Sequence, residues 1–594
     1  MYLRTIQRRN KDGTTVRYVQ LAHNEWDPAA KQAKATVIHS FGREDELDRD
    51  ALARLVRSIT RYIDPDQGRE ATASPELSFL ASRPLGGAWV LNELWATLGI
   101  DAAIHELLGQ RRLDPRAERL IFAMVANRAL DPMSKLSALE WAATDVAIPG
   151  LGEVGEDPQV LYRAMDFLLE IEAELGLAVY WATADLLNLE VDLLFFDTTS
   201  TYFEIEAADP PPARAKDGSQ QGGEEQAGPT PADEQEPAPS NNKRKKPAGF
   251  RSYGNSKDHR GDLPQVVVGM AVTRTGIPIR VWCWPGNTAD SALIRQVKDD
   301  LRSWRLGRVV WVGDRGFSSA ENRRYLQRAG GHYIIGEKLR GDSKEATAAL
   351  ARQGRYHVIA HNLRVKEVVI DDGAARDRFV ICHNPEEATR DAAVRTSLID
   401  QLSGAIVGSD RLPEAKRAEL AARLRSSNRD LGRYLRTTSG GLLRIDRSAV
   451  AREARLDGKF LLRTSDPTLS AEDVALGYKQ LLEVERAWRD MKTTLELRPV
   501  YHRKEDRIRA HVVLCWLALL LIRIAENAAA DTWRNVRTEL QRIHLGEFSG
   551  SAGRLLQRTQ LSATQDKLLH DLKVKVPPRF FELHPVASHS LDEA

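Results

Sequence analysis

Val191-Asp192-Leu193-Leu194-Phe195-Phe196 runs into Asp197-Thr198-Thr199-Ser200, and further along Arg308-Val309-Val310-Trp311-Val312-Gly313 runs into Asp314-Arg315-Gly316-Phe317. Each is a short apolar and aromatic run closed by a turn signal, the pattern of a strand buried on both faces. Each delivers an aspartate at its end. A carboxylate at the carboxyl end of a buried strand faces the crevice in which open α/β sheets bind ligands. Gly313 and Gly316 permit a tight exit around Asp314. Ser318 with Glu321 reads as a capping box opening the next helix. Alone, either aspartate would be read as a turn residue or an N-cap. Two of them at equivalent strand ends of one sheet argue for a site.

The surroundings predict the rest of that sheet. Strands are expected at 264–273 and 277–284, joined by a turn at Thr275-Gly276, then a helix near 290–304 and a strand at His332-Tyr333-Ile334-Ile335. This order predicts an α/β fold, a mixed sheet with helices packed on it. Residues 191–340 would form the first part of this domain. Residues 341–470 read as an inserted, β-containing subdomain, and 471–545 as a helical segment that closes the domain. Ahead of it, 1–75 reads as a small α+β region and 76–190 as a helical domain with Leu91, Leu94 and Leu98 on one stripe. Residues 546–594 read as a C-terminal tail region suited to dimerisation. Residues 207–249 are rich in Pro, Gly, Gln, Glu and Ala, so a disordered insert is expected there. Its closing Lys243-Arg244-Lys245-Lys246 reads as a solvated linker, with a phosphate contact as the functional alternative.

Bulk properties exclude several classes. A chain of 594 residues suggests roughly three to five domains. With 85 basic and 83 acidic residues the net charge is +2, so a basic surface can arise only from local clustering. Cys283, Cys382 and Cys515 are far apart and form no C-x-x-C pair, which argues against a disulfide framework or a zinc site and for a reducing cytoplasm. Met1-Tyr2-Leu3-Arg4 opens no signal peptide. The longest apolar run, Val512 to Ile522, is eleven residues, too short to cross a bilayer, and reads as a buried helix.

A third acid, Glu485, lies within a helix expected from Ala471 to about Leu495. Leu481, Val484, Trp488, Met491 and Leu495 form its buried stripe. Tyr478, Glu485, Arg489 and Lys492 form an adjoining one, which could equally be a solvated face with ordinary ion pairs. Phosphodiester cleavage needs an activated water or hydroxyl and a stabilised leaving oxygen, and two Mg²⁺ ions about 4 Å apart supply both. Such hard cations take oxygen ligands, and nearby Tyr, Lys and Arg would position phosphates.

These residues resemble the DDE transposases of bacterial insertion sequences, in the subgroup with a Y-x2-R-x3-E-x6-K signature. Tyr478, Glu485 and Lys492 match that signature in identity and spacing, and Leu481 stands at its arginine position. Phe195–Thr199, Gly254–Arg260 with Asp262–Val266, Val312–Phe317, Arg498–His502 and Arg507–His511 are similar to further blocks of the family, which together span most of 190–525. The resemblance implies a ribonuclease-H-like sheet with helices on both faces. It implies Asp197, Asp314 and Glu485 as catalytic residues and ligands of two Mg²⁺ ions, with Mn²⁺ able to substitute. It implies DNA contacts from Tyr478, Lys492, Arg489, Lys257, His259, Arg260 and Arg315. The partners would be double-stranded DNA, as transposon ends and target, and a second copy of the chain in a paired-end complex. The setting would be the bacterial cytoplasm, at the nucleoid, with no membrane. A ribonuclease-H-like nuclease without strand transfer, or a catalytically silent DNA-binding relative, are the alternatives.

Overall fold

In the computed structural model, alternate residues of one strand serve two different cores. Leu193 and Phe195 of the strand Leu193–Tyr202 pack into a large core on one face, while Leu194 and Phe196 pack into a second core on the other. A strand with apolar residues at every position is what a sheet covered on both faces requires. The structure describes residues 2–584 apart from 11–13, 28–30, 64–76, 110, 112–113, 154, 156, 187–192, 212–248, 305–307, 341–342, 372–375, 428 and 551–552. The expected disordered insert and its basic cluster at 243–246 thus fall outside the described residues, save for the insert's two ends.

The chain divides into two units. One comprises residues 1–82, 546–558 and 579–594. It holds an antiparallel sheet of β1 (Tyr2–Arg9), β2 (Thr15–Asp27) and β3 (Gln32–Arg43) in that order, and the helix Arg49–Ile63. In its second sheet, β4 (Leu77–Pro84) joins the strands His544–Gly550, Gly553–Arg558 and Phe580–His584. The expected C-terminal tail is therefore not a separate region: its strands complete a sheet begun at residue 77.

The other unit, residues 83–545 and 559–578, is built on nine strands. The first five are β5 (Leu193–Tyr202), β6 (Gln265–Val272), β7 (Pro278–Pro285), β8 (Val310–Gly313) and β9 (His332–Glu337). They lie in the order β7-β6-β5-β8-β9. The β5–β6 and β6–β7 pairs are antiparallel, and the β5–β8 and β8–β9 pairs are parallel. Three antiparallel strands flanked by two parallel ones make this sheet ribonuclease-H-like. Helices cover both faces. Leu293, Ile294 and Val297 of the helix Asp290–Asp300, with Leu326 of Ala320–Gln327, fill the core behind Phe196. The opposite face is covered by Ala471–Lys479, Leu482–Thr493 and the central helix Glu505–Ala529.

Several expectations change. The strands of 341–470 do not form a sheet of their own. β10 (His357–Ala360), β11 (Leu363–Asp371), β12 (Arg376–His383) and β15 (Lys459–Thr464) extend the same sheet beyond β9, all antiparallel. The helical part of the insertion, with the short pair β13 (Leu435–Thr437) and β14 (Leu443–Ile445), has its own small core around Leu402, Leu424 and Leu443, and the helix Lys344–Ala351 packs a second one, with Val368, Phe379 and Leu461, on the added strands. The helices of 86–186 are likewise no separate domain: Ala117–Leu130 and Gln159–Glu170 pack on the central helix. The eleven-residue apolar run is the middle of that 25-residue helix. By length and composition the helix would reach across a membrane, yet its apolar stretch is almost wholly buried inside the protein.

The expected helix 471–495 is two helices, Ala471–Lys479 and Leu482–Thr493. At the break the amides of Leu481, Glu483 and Val484 bond the carbonyls of Tyr478, Gln480 and Leu481. These three-residue steps tighten the turn and re-aim the chain. The cap after Asp314 is also shifted: Ser319, not Ser318, accepts from the Asn322 amide.

Candidate active site

Asp197 does not end its strand. β5 continues through Thr198 to Tyr202, because its pairing with β6 persists along that whole edge (Asp197 faces Met270). On the opposite edge, pairing with β8 stops at Phe196 against Gly313. Asp314, the first residue beyond β8, therefore comes level with Asp197. Both stand in the alternation of Phe195 and of Val310 and Val312, toward the face covered by the helices Ala471–Lys479 and Leu482–Thr493.

The environment marks the pair. Burial pushes the Asp197 carboxyl up to about 6, and Asp314 and Asp290 add to that, while Lys257 opposes it. The Lys257 ammonium lies 3.6 Å from Asp197 Oδ1 and 3.4 Å from Asp290 Oδ2. It also donates to the Thr198 carbonyl and to Thr198 Oγ1 at 2.7 Å. Its own backbone amide donates to Ser200 Oγ at 2.9 Å. Thr198 in turn donates from Oγ1 to Asp290 Oδ1 at 2.9 Å. Asp290 was missed in the sequence. Its signal is positional: it opens the helix that follows β7 through Asn287-Thr288-Ala289, and lines with Ser200, Lys257 and Gly316 a cleft of about 590 Å³.

Tyr478 completes the other side. Its phenol donates to Asp314 Oδ1 at 3.4 Å, and burial first, then Asp314, raises its pKa. Gly336 of β9 makes this reach possible: a Cβ there would stand 2.5 Å from the Tyr478 phenol oxygen. Lys492 and Arg498 both bind Asp258, at 2.8 Å to Oδ1 and 2.6 Å to Oδ2, and so fasten the loop that carries Lys257 to the helix Leu482–Thr493. Arg498 also lies over one side of the Tyr202 ring, whose other cationic neighbour is Arg260, itself paired with Asp262 at 2.9 Å.

Other expected residues are not gathered here. Glu485 is exposed on the helix Leu482–Thr493, whose buried side is Val484, Ala487, Trp488 and Met491, and its carboxylate has no partner among the described residues. Among the described residues no three Asp, Glu, His or Cys side chains converge closely enough to hold a metal ion. Because the helix breaks at Gln480, Tyr478 and Glu485 do not share one helix face. Arg489 lines a different cleft, with Arg486, Arg534 and Arg537. His259, at a positive φ of 58°, and Arg315 are exposed beside the aspartates' loops. Leu481 packs against the core, which explains why an apolar residue occupies that position.

Residues 232–521 match the family model of the transposase DDE domain, and residues 3–69 match that of the IS1634 family transposase N-terminal domain. The chain belongs to the DDE transposases of bacterial insertion sequences. It is thus a DNA transposase, of a family that works with divalent metal ions. The catalytic-domain match begins after β5, so for this transposase the place of Asp197 rests on the sheet geometry above. No curated protein matches the transposase. Among solved structures it is similar to the piggyBac transposase synaptic complex with hairpin DNA, at 9% identity and a TM-score of 0.33, over 77% of this chain and 79% of that one. At that distance the likeness assigns no residue.

Proposed function

We propose that this transposase cleaves phosphodiesters at the terminal inverted repeats of an insertion sequence and transfers the freed 3′-hydroxyls to target DNA. The observation that carries the reading is the side-by-side position of Asp197 on β5 and Asp314 just beyond the adjacent parallel strand β8, with Asp197 held up to about 6. Two close carboxylates with one partial counter-charge, Lys257, are an oxygen donor set that suits a hard divalent cation. Asp197 and Asp314 would hold Mg²⁺, or Mn²⁺ in its place, with Glu485 as the third ligand. When bound, a pair of such ions would activate the attacking oxygen and stabilise the leaving one. Tyr478 orients Asp314, and Lys257 sits where a phosphate oxygen approaching Asp197 would meet a cation. Arg260, Arg315, Arg489 and His259 supply exposed donors for the DNA backbone, whose contacts position rather than specify. Lys492 acts through the loop it anchors. The working assembly is two copies of the chain on paired ends in the bacterial cytoplasm, at the nucleoid.

The test is product analysis on DNA carrying the element's ends, with Mg²⁺ or Mn²⁺. Joined products support transposition, and nicks without joining leave a nuclease. One observation favours the catalytically silent alternative: Glu485 stands outside the carboxylate pair. DNA binding without any metal-dependent cleavage would establish that alternative.

A further inference from the structure

A second cleft, of about 420 Å³, collects cations, and among the described residues that line it no acid is buried. Lys135 is only 4% exposed, and its ammonium has no hydrogen-bond partner. Arg128, 5% exposed, reaches the carbonyls of Leu495 and Glu496 through Nη1 at 3.4 Å, which leaves Nε unpaired. His511, also buried, gives Nε2 to the Leu497 carbonyl at 3.2 Å, and its Nδ1 is unpaired. The acid on the lining, Glu496, is exposed. Burial, with Arg128 adding to it, pushes Lys135 down to about 7.

A buried ammonium beside a buried guanidinium is costly unless an opposite charge meets it. Among the described residues on the lining the one carboxylate, Glu496, is exposed, so a counter-charge that keeps the buried ammonium protonated would come from a ligand. Arginine's fork and lysine's point charge together are the donor set that recognises phosphate. Two large apolar side chains flank the mouth: Tyr501, 74% exposed, and Leu136, 60% exposed. An exposed aromatic ring beside a phosphate site is what a nucleotide base stacks upon. We infer that the cleft around Lys135 and Arg128 binds a phosphate group, supplied by a DNA backbone with a base against Tyr501, or by free phosphate. Neither the aspartate pair nor the metal reading enters this inference.

The test uses the full chain. Thermal unfolding is compared in increasing inorganic phosphate and in chloride of equal ionic strength. A saturable rise in Tm with phosphate is expected for the unaltered protein. It is expected to vanish in Lys135→Met, which in chloride should melt no lower than the parent, since it loses an unpaired buried cation. Binding of single-stranded DNA, whose unpaired bases can reach Tyr501, across salt then separates the sources. A slope of log K against log salt reduced by roughly 0.7 in Lys135→Met, with weaker binding by Tyr501→Ala, assigns the backbone phosphate. Unchanged DNA binding with a lost phosphate effect assigns free phosphate. If the unaltered protein shows no phosphate-specific rise and Tyr501→Ala binds DNA normally, the inference fails, whether or not Lys135→Met folds.

Discussion

The Tyr478 phenol oxygen lies 3.4 Å from Oδ1 of Asp314, joining the first of two helices to the end of a parallel strand. Removing only that oxygen, in Tyr478→Phe, keeps the buried ring. The variant is expected to fold and melt like the parent but to cleave DNA roughly 10–100-fold more slowly, as when a partner that orients a ligating carboxylate is lost. Single-turnover cleavage at saturating metal measures this. An unchanged rate would remove Tyr478 from the site.

Gly336→Ala tests the same contact from the strand. Its new Cβ would stand 2.5 Å from the phenol oxygen and 3.2 Å from Cζ. Cleavage should fall in the single variant. In a Tyr478→Phe background the alanine should cost much less, because the nearest clashing atom is gone. Equal effects in both backgrounds would mean that the glycine is needed for some other reason.

Glu485→Gln is expected to abolish metal-dependent cleavage and to leave stability within about 0.5 kcal/mol of the parent, since the side chain is exposed and has no partner among the described residues. Calorimetry and a cleavage assay on the same preparation decide this. Retained cleavage would remove Glu485 from the ligand set.

Asp258→Ala leaves Lys492 and Arg498 without their shared carboxylate. Stripping one partner from a largely buried ion cluster costs about 3 kcal/mol. A lowered Tm is expected together with slower cleavage, because the same loop carries Lys257. Lys492→Met should slow cleavage less if its part is anchoring rather than direct contact with DNA.

His502 makes stability pH-dependent. Burial first, then the cations Lys135, Arg507 and Arg128, push its pKa down from 6.5 to about 4. The unfolded chain then binds a proton near pH 6.5 that the folded protein refuses until about 4. The full contribution is present above 6.5 and is lost as pH falls through that window, by about 3 kcal/mol in all. In phosphate-free buffer, the Tm of the parent should fall over this range, and His502→Gln should flatten that part of the acid limb.

The two aspartates were legible because strand burial is written locally: an apolar run with no polar alternation, then a carboxylate. What the run did not show is where its pairing stops. β5 loses its neighbour β8 at Phe196 but keeps β6 to Tyr202, a difference made by other strands. The spacing of Tyr478, Glu485 and Lys492 was also legible, but not the break at Gln480, because apolar periodicity continues across it. Asp290 was hidden for the opposite reason: it resembles any acidic residue at a helix start, and only the approach of Thr198 and Lys257 distinguishes it.

By itself the sequence determined the transposase family, the α/β character of the large sheet and two of the acids that meet, since these depend on residue identity, burial pattern and spacing along one chain. The tertiary structure alone decided that the insertion's strands lengthen the catalytic sheet, that Lys257 stands against Asp197, and that Lys135 and Arg128 share a cleft with no buried acid among the described residues that line it. Strand partners and counter-charges come from residues distant in the chain, and no local pattern records which of them the fold will bring together.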